Sequence, residues 1–316
     1  MCNRIADPLR HKIRKGVRVR LLKNKGNIRK KTGPGIPKHC RCIGGLIVAL
    51  VSLTTAGEPA WTTIDKGLSY AKFKVPAVSF PADSTITVIR IDPNRFALTL
   101  CSVSQFGGQN RTAREWVKEH GLAGAINAGM YLTDYKTSCG YMKNYSHFNN
   151  PRNNKTYHSV AAFNPVKGNS PPFKIFDDTD PGIIAGTYNS VIQNLRLVKR
   201  PRVNRWQQQE RRWSEAALGE DRGGNILFIF SRIPFTMHDF NELLLRLPVG
   251  LVCAQHLEGG PEASLYINLN GMELCRTGSY SGDYSSENSD SLFRPVPNVI
   301  GVVKRQSASP IRKHGH

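Results

Sequence analysis

Acidic residues are scarce in this sequence: 23 Asp and Glu stand against 44 Lys and Arg among 316 residues, a formal net charge of +21. Long apolar runs are missing, and none approaches the roughly 18 residues of a membrane-spanning helix, which excludes a polytopic membrane protein. No G-x-x-x-x-G-K-[ST], G-x-G-x-x-G, H-E-x-x-H or G-x-S-x-G occurs. This argues against P-loop ATPases, Rossmann dehydrogenases, zincins and α/β-hydrolases. No C-x-x-C pair exists either, so a structural zinc site is not expected. Internal repeats, coiled-coil heptads and low-complexity segments are absent. Disorder throughout is excluded by what remains, since 40% hydrophobic and 9% aromatic residues suffice for a core.

The positive charge is concentrated at one end. Residues 1–42 hold 14 of the basic residues and one acid, Asp7, but no aromatic. Nucleic-acid readers usually combine basic grooves with stacking aromatics, so no nucleic-acid partner is expected. An apolar run, Ile43–Leu53, follows directly, and Thr54-Thr55-Ala56 supplies small residues at a possible cleavage point. Basic, apolar and small-residue parts in that order make up a secretory signal peptide, although this basic part is long for one. The competing reading is a buried core helix behind a basic tail. On the first reading residues 1–42 are a basic extension, 43–56 the signal core and cleavage zone, 57–305 an exported domain (periplasmic or secreted) and 306–316 a basic tail. The run then supplies no stable transmembrane helix. Four cysteines lie in the exported part, Cys101, Cys139, Cys253 and Cys275. They permit two disulfides in three connectivities, or serve as small buried hydrophobes.

Along the domain, Thr85–Asp92 and Phe96–Val103 read as two strands joined as a hairpin through Pro93-Asn94-Arg95. Thr112–His120 has a Thr N-cap with Glu115 three residues on, a capping box. Residues 123–127 form a short strand and residues 143–158 a polar surface loop. Gly224–Ser231 is a buried strand, and Thr236–Leu247 an amphipathic helix stopped by Pro248. Leu251–His256, Ala263–Leu269 and Val296–Val303 complete the strands. Strand–helix–strand order occurs at 96–127 and at 224–257. The expected fold is α+β: a single domain with a mixed, mostly antiparallel sheet core and flanking helices.

Several segments could carry chemistry. In His256-Leu257-Glu258-Gly259-Gly260-Pro261-Glu262 an apolar strand runs into a polar turn and another strand leaves it. Glu258 then stands at a strand end, and the Gly259 and Gly260 amides could receive an anion, although a Gly-Gly-Pro stretch is also an ordinary turn. Asn127, followed by Ala128-Gly129, ends its own strand with groups suited to a sugar hydroxyl or phosphate oxygen; Asn-x-Gly is likewise a common turn. Arg196 and Arg232 could each grip a phosphate or form a surface ion pair. His238-Asp239 is an acid–base pair or a solvated first helical turn. A divalent cation is compatible with the acids and amide oxygens near these turns, but no ligand spacing demands one.

In order, INAGMY at 126–131, NLRLV at 194–198, ALGEDRGGNILFIFSR at 217–232, HLEGGPEAS at 256–264 and RPVPNVIGVV at 294–303 resemble the phosphodiester glycosidase domain family. That family includes the lysosomal uncovering enzyme and many exported bacterial proteins. The sequence differs from the commoner pattern: His256 and Glu258 stand for Asn and Asp, Pro261-Glu262 for Gly-Ser, Ala128 for Gly, and Glu215 for an Arg. Together these mark a distinct bacterial branch. The resemblance implies hydrolysis of a sugar-1-phosphodiester or phosphorylated polysaccharide at the glycosidic bond. It implies catalytic roles for Glu258, Asn127 and Arg196, and substrate-binding roles for Arg232, Gly259, Gly260, Gly129, His256, Glu262 and His238. A non-catalytic envelope protein that binds anionic polysaccharide is the rival reading. Oligomeric state is left open.

Overall fold

The structure, a computed structural model, describes residues 60–75, 85–279 and 293–306. The signal-like segment and the basic N-terminal extension lie outside the described residues, as does the basic tail beyond residue 306. In chain order the first nine strands are β1 (Thr62–Asp65), β2 (Leu68–Lys74), β3 (Thr85–Ile91), β4 (Phe96–Ser102), β5 (Gly124–Asn127), β6 (Met142–Asn144), β7 (His147–Asn150), β8 (Ser159–Pro165) and β9 (Phe173–Asp177). The others are β10 (Tyr188–Asn194), β11 (Arg196–Lys199), β12 (Val203–Asn204), β13 (Trp213–Asp221), β14 (Ile226–Phe235), β15 (Leu251–Gly259), β16 (Ser264–Leu269), β17 (Met272–Thr277) and β18 (Asn298–Lys304). They form one eight-stranded sheet, β1-β2-β3-β14-β13-β15-β11-β12, and two five-stranded sheets, β7-β6-β10-β8-β9 and β17-β16-β5-β18-β4. Every described pairing is antiparallel.

The apolar run of β14 explains the central layering. Alternate side chains of a strand leave on opposite faces. Ile226, Phe228 and Phe230 enter a core shared by all three sheets, whereas Leu227 and Ile229 face a second core. That second core is closed by Met237, Phe240 and Leu244 of the helix Met237–Arg246. A strand buried on both sides reads as a continuous apolar run, which is why it stood out. The helix Ala113–His120 has the expected capping box, with Thr112 accepting from the Glu115 amide, and packs Trp116 and Val117 on the β5/β18 sheet.

Both strand–helix–strand intervals are present, each with another strand inserted. β5 and β4 flank β18, and β14 and β15 flank β13. The expected β3–β4 hairpin does not form: β3 pairs with β2 and β14, and β4 with β18. Asp92 turns the chain by accepting from the Arg95 and Phe96 amides, and the chain passes there from one sheet to another. Part of the expected 143–158 loop is β7, hairpinned to β6. The cysteines do not pair among themselves as two bridges; Cys101, Cys253 and Cys275 are buried thiols. Burial pushes the Cys253 thiol up to about 12, which leaves it inert at neutral pH.

β13 was not legible as a strand because three acids interrupt it. Each acid is satisfied in the fold. Glu220 accepts from Lys174 Nζ at 2.9 Å, the Ile175 amide at 3.0 Å and Arg200 at 2.5 Å. Asp221 accepts from the Gly223 and Asn225 amides at 2.8 and 2.9 Å. Phe228→Ala, which empties a fully buried site at the junction of the sheets, is expected to lower the unfolding free energy by about 3–5 kcal/mol in urea titration; a loss under about 1 kcal/mol would contradict the shared core.

Candidate functional site

Four chain segments converge at one end of these sheets. β5 pairs with β16, Ile126 opposite Leu265, so Asn127 arrives beside Ser264. The Asn127 side chain then fixes the turn: its Nδ2 donates to the Glu262 carbonyl at 2.9 Å and its Oδ1 accepts from the Ser264 amide at 2.7 Å. β11 pairs with β15, Arg196 opposite Gln255, and the His256 amide donates to the Leu195 carbonyl at 2.9 Å. Asn194 closes the ring of contacts, its Nδ2 donating to the Ala128 carbonyl at 2.9 Å. Gly129 is required for this approach, because a Cβ there would lie 2.4 Å from Asn194 Oδ1. From the fourth segment the Asn298 carbonyl accepts from the Ala128 amide, and Arg294 Nη1 lies 3.8 Å from Glu262 Oε1.

The direction of Glu258 is set by a bulge. In the β13–β15 ladder Ala217 faces His256 and Ala216 faces Glu258, so Leu257 is the extra residue. Directly opposed residues share a face, and Ala216 and Ala217 belong to different cores. The bulge therefore sends Glu258 toward the three-sheet side and leaves His256 on the other. Glu258 is 5% exposed, and its carboxylate accepts only the Gly259 amide, at 3.1 Å. Burial raises its pKa to about 7, an effect that the charge of His256 opposes and that Glu262 and Glu215 reinforce. The hydroxyls of Tyr131 and Tyr157 are raised too, by burial and then by the neighbouring Glu258 charge.

His256 is fully buried, with Nδ1 in a short hydrogen bond to Glu215, whose other oxygen accepts from Trp213 Nε1 at 2.9 Å. Buried polar atoms are nearly always paired. Here Asn194 Oδ1, Gln255 Nε2, His256 Nε2 and both amide atoms of Asn298 have no hydrogen-bond partner among the described residues. Five such unpaired donors and acceptors on the segments that converge here make this a candidate binding site.

The structure thus brings together Asn127, Gly129, His256, Glu258, Gly259, Gly260 and Glu262 of the expected set. Arg232 lies near them, in the β14 stretch opposite the β13 irregularity between Trp213 and Glu215. Its carbonyl accepts from Ser214 Oγ. The Arg196 guanidinium turns to Asp178 instead, at 2.8 Å. His238 sits in the first turn of the helix Met237–Arg246, on the side of the second core, with Nδ1 3.2 Å from Asp239. The Gly259 amide is directed at the Glu258 carboxylate rather than outward. Tyr131, Tyr157, Asn194, Glu215, Arg294 and Asn298 were not singled out as site residues in the sequence. Buried polar burden was the missing signal, and it needs coordinates. Among the described residues no group of three or more His, Cys, Asp or Glu side chains could hold a metal ion.

The sequence matches the phosphodiester glycosidase family over residues 120–303, more than half of the chain and all of the segments just described. The chain belongs to the phosphodiester glycosidase family. No curated protein sequence matches it. Among solved structures it is similar to a hypothetical protein from Synechocystis, with TM-score 0.54 and 15% identity over 79% of this chain. It spans 65% of that protein's length. It is similar also to the catalytic domain of zebrafish N-acetylglucosamine-1-phosphodiester α-N-acetylglucosaminidase, auto-inhibited by its pro-peptide, with TM-score 0.54 and 12% identity. That match covers 77% of this chain and 86% of the zebrafish one. At these identities the two structures establish the fold.

The raised Glu258 pKa makes a prediction about stability. An acid that stays protonated up to about pH 7 when folded, against 4.5 as its ordinary value, favours the fold fully below pH 4.5 and loses that contribution as pH rises through 7. Glu258→Gln is therefore expected to be more stable than the parent above pH 7, by on the order of 1–3 kcal/mol, with a flatter stability profile between pH 4.5 and 7. Chemical denaturation at a series of pH values measures this; parallel profiles would show that Glu258 is not held as described.

Proposed function

We propose that this protein is an exported hydrolase that cleaves the glycosidic bond of a sugar-1-phosphodiester in a glycan or cell-envelope polymer. One observation carries the reading: a buried carboxyl group, its pKa raised by burial, at the convergence of segments that carry unpaired amide groups, in the domain of a phosphodiester glycosidase. Export is supported by the order of residues 1–56, basic, then apolar, then small.

The chemistry follows from the leaving group. When the C1–O bond breaks, its electron pair departs on an oxygen of a phosphate monoester, which is weakly basic and needs little protonation. The protein must then supply a base and a place for phosphate charge. Glu258, in its ionised form, takes a proton from the water that bonds to C1, or itself attacks C1 to give an intermediate that water releases. Arg294, beside Glu262, is the cation placed to meet the phosphate, and Arg232, whose backbone carbonyl accepts from Ser214 Oγ, is the second candidate. The Asn127 side chain is used up in holding the turn, so its part is to position Glu262 and Ser264. Asn194 and Asn298 retain open donors and acceptors for sugar hydroxyls.

Release of sugar from a UDP-sugar or a synthetic sugar phosphodiester tests the reading. Turnover is expected to fall at least about a thousandfold in Glu258→Gln, with unchanged circular dichroism and no effect of chelator on the parent enzyme. A parent protein that binds phosphorylated polysaccharide but turns over neither substrate would favour the non-catalytic envelope role.

A further inference from the structure

The Glu215–His256 pair has no role in the mechanism above, yet it is the most deeply buried ionisable pair of the site. Glu215 is 2% exposed and His256 fully buried. Among the described residues their short hydrogen bond is the only one that His256's ring makes, since Nε2 is unpartnered. The Glu258 carboxylate acts on the imidazole of this pair through its charge. Glu258 and Glu262 come from the His256 segment, while the hydroxyls of Tyr131, from the turn after β5, and Tyr157, from the stretch before β8, feel the Glu258 charge. Trp213 adds a neutral donor from β13. The cations on the surrounding segments are Arg232 on β14 and Arg294 before β18, the latter about half exposed.

Three carboxyl groups, at 215, 258 and 262, thus share a region of low dielectric. Uncompensated, buried carboxylates of like charge do not all ionise; at least one takes up a proton. A cation within the cluster relieves that constraint, and the imidazole is the group placed to be one. Burial works against its charged form, but the Glu215 and Glu258 carboxylates outweigh burial and hold its pKa above the ordinary value. The bulge at Leu257 matters again here. It puts His256 on the face opposite Glu258, so the imidazolium acts on that carboxyl through its field and does not occupy the space in front of it.

We propose that Glu215 holds a proton on His256, and that the resulting buried imidazolium keeps Glu258 ionised, and so able to act as a base, at neutral pH. Glu215 and His256 are positioning residues on this view: neither touches substrate. Burial raises the Glu215 pKa, and the charge of His256 and the hydrogen bond that Trp213 donates to the second Glu215 oxygen work against that rise, in favour of the proton on the ring.

The proposal rests on the assignment of Glu258 as the reactive carboxyl, but its test does not require turnover. The titration of Glu258 in the folded protein is read from the pH dependence of unfolding free energy, with Glu258→Gln identifying which inflection belongs to it. In Glu215→Gln and in His256→Gln that inflection is expected to move up by about one pH unit or more, and the Glu215→Gln/His256→Gln double variant to match the His256→Gln single. Where an active parent enzyme is in hand, the acidic limb of its pH–rate profile moves with it, while a merely structural pair would lower the rate at every pH without moving the limb. An inflection that stays in place in the variants overturns the proposal. Should neither variant fold, nitrogen NMR of the histidine side chains in the parent protein decides. Both His256 ring nitrogens are expected to carry protons at pH 7–8, and a neutral ring there overturns the proposal. A parent protein without phosphodiester turnover, but with the shifted inflections, would leave the pair's role standing and remove only the substrate assignment.

Discussion

The site depends on one irregularity in the β13–β15 ladder. A regular antiparallel strand would put His256 and Glu258, two residues apart, on the same face. The extra residue Leu257 breaks that relation, so the strand serves the two cores with different chemistry. On one side His256 meets Glu215; on the other Glu258 stands among Tyr131, Tyr157 and Glu262. The bulge is held from both flanks. β13 pairs across it on one side, and on the other the His256 amide bonds to the Leu195 carbonyl, which carries Asn194 and Leu195 alongside. Asn194 in turn ties the Gly129 turn, and through that turn β5. Displacing the bulge would therefore move the contributions of β5, β10 and β15 together.

What the sequence conveyed and what it withheld follow from this. Segments whose own residues fix their structure were legible: the capped helix Ala113–His120, the doubly buried β14, and the strand ending at Asn127. Pairings decided by distant partners were not. β3 and β4 look like a hairpin because the connection is short, yet β14, with apolar side chains on both faces, offers β3 a better partner. β13 escaped notice because Glu215, Glu220 and Asp221 read as polar turn residues, and only Arg200, Lys174, Arg90 and His256, from elsewhere in the chain, make them compatible with burial. In the site itself, the Gly-Gly turn and the asparagine could be located from pattern alone. The bulge could not, since nothing in Gln255-His256-Leu257-Glu258 announces a change of face.

Charge partners show the same division. Arg196 sits one strand away from Glu258 and in the right order of segments, yet its guanidinium goes to Asp178, on the turn beyond β9. Its backbone serves the site, by pairing β11 with β15, while its side chain ties down a neighbouring sheet. Arg294 does the reverse: its side chain reaches Glu262, and it remains about half exposed, as a group that is to meet a charged ligand at a site entrance must. An arginine satisfied at short range by a carboxylate has little left to offer a phosphate.

Two departures from the family pattern, Glu215 for Arg and His256 for Asn, turn out to be a single structural unit, because the two side chains are hydrogen-bonded to each other. Neither change is tolerable alone. A glutamate at 215 facing an asparagine would be a buried carboxylate with no cation to offset it, and a histidine at 256 facing an arginine would gain no acceptor and be driven neutral. Made together, they give a pair that is internally neutral when the imidazole is charged, with its basic member on β15, two residues from Glu258, and not on β13. On the proposed assignment the cation then lies on the same strand as the carboxyl that it keeps ionised. That is where Glu258, a longer side chain than the Asp of the commoner pattern, buried and flanked by a second acid at 262, has most need of it.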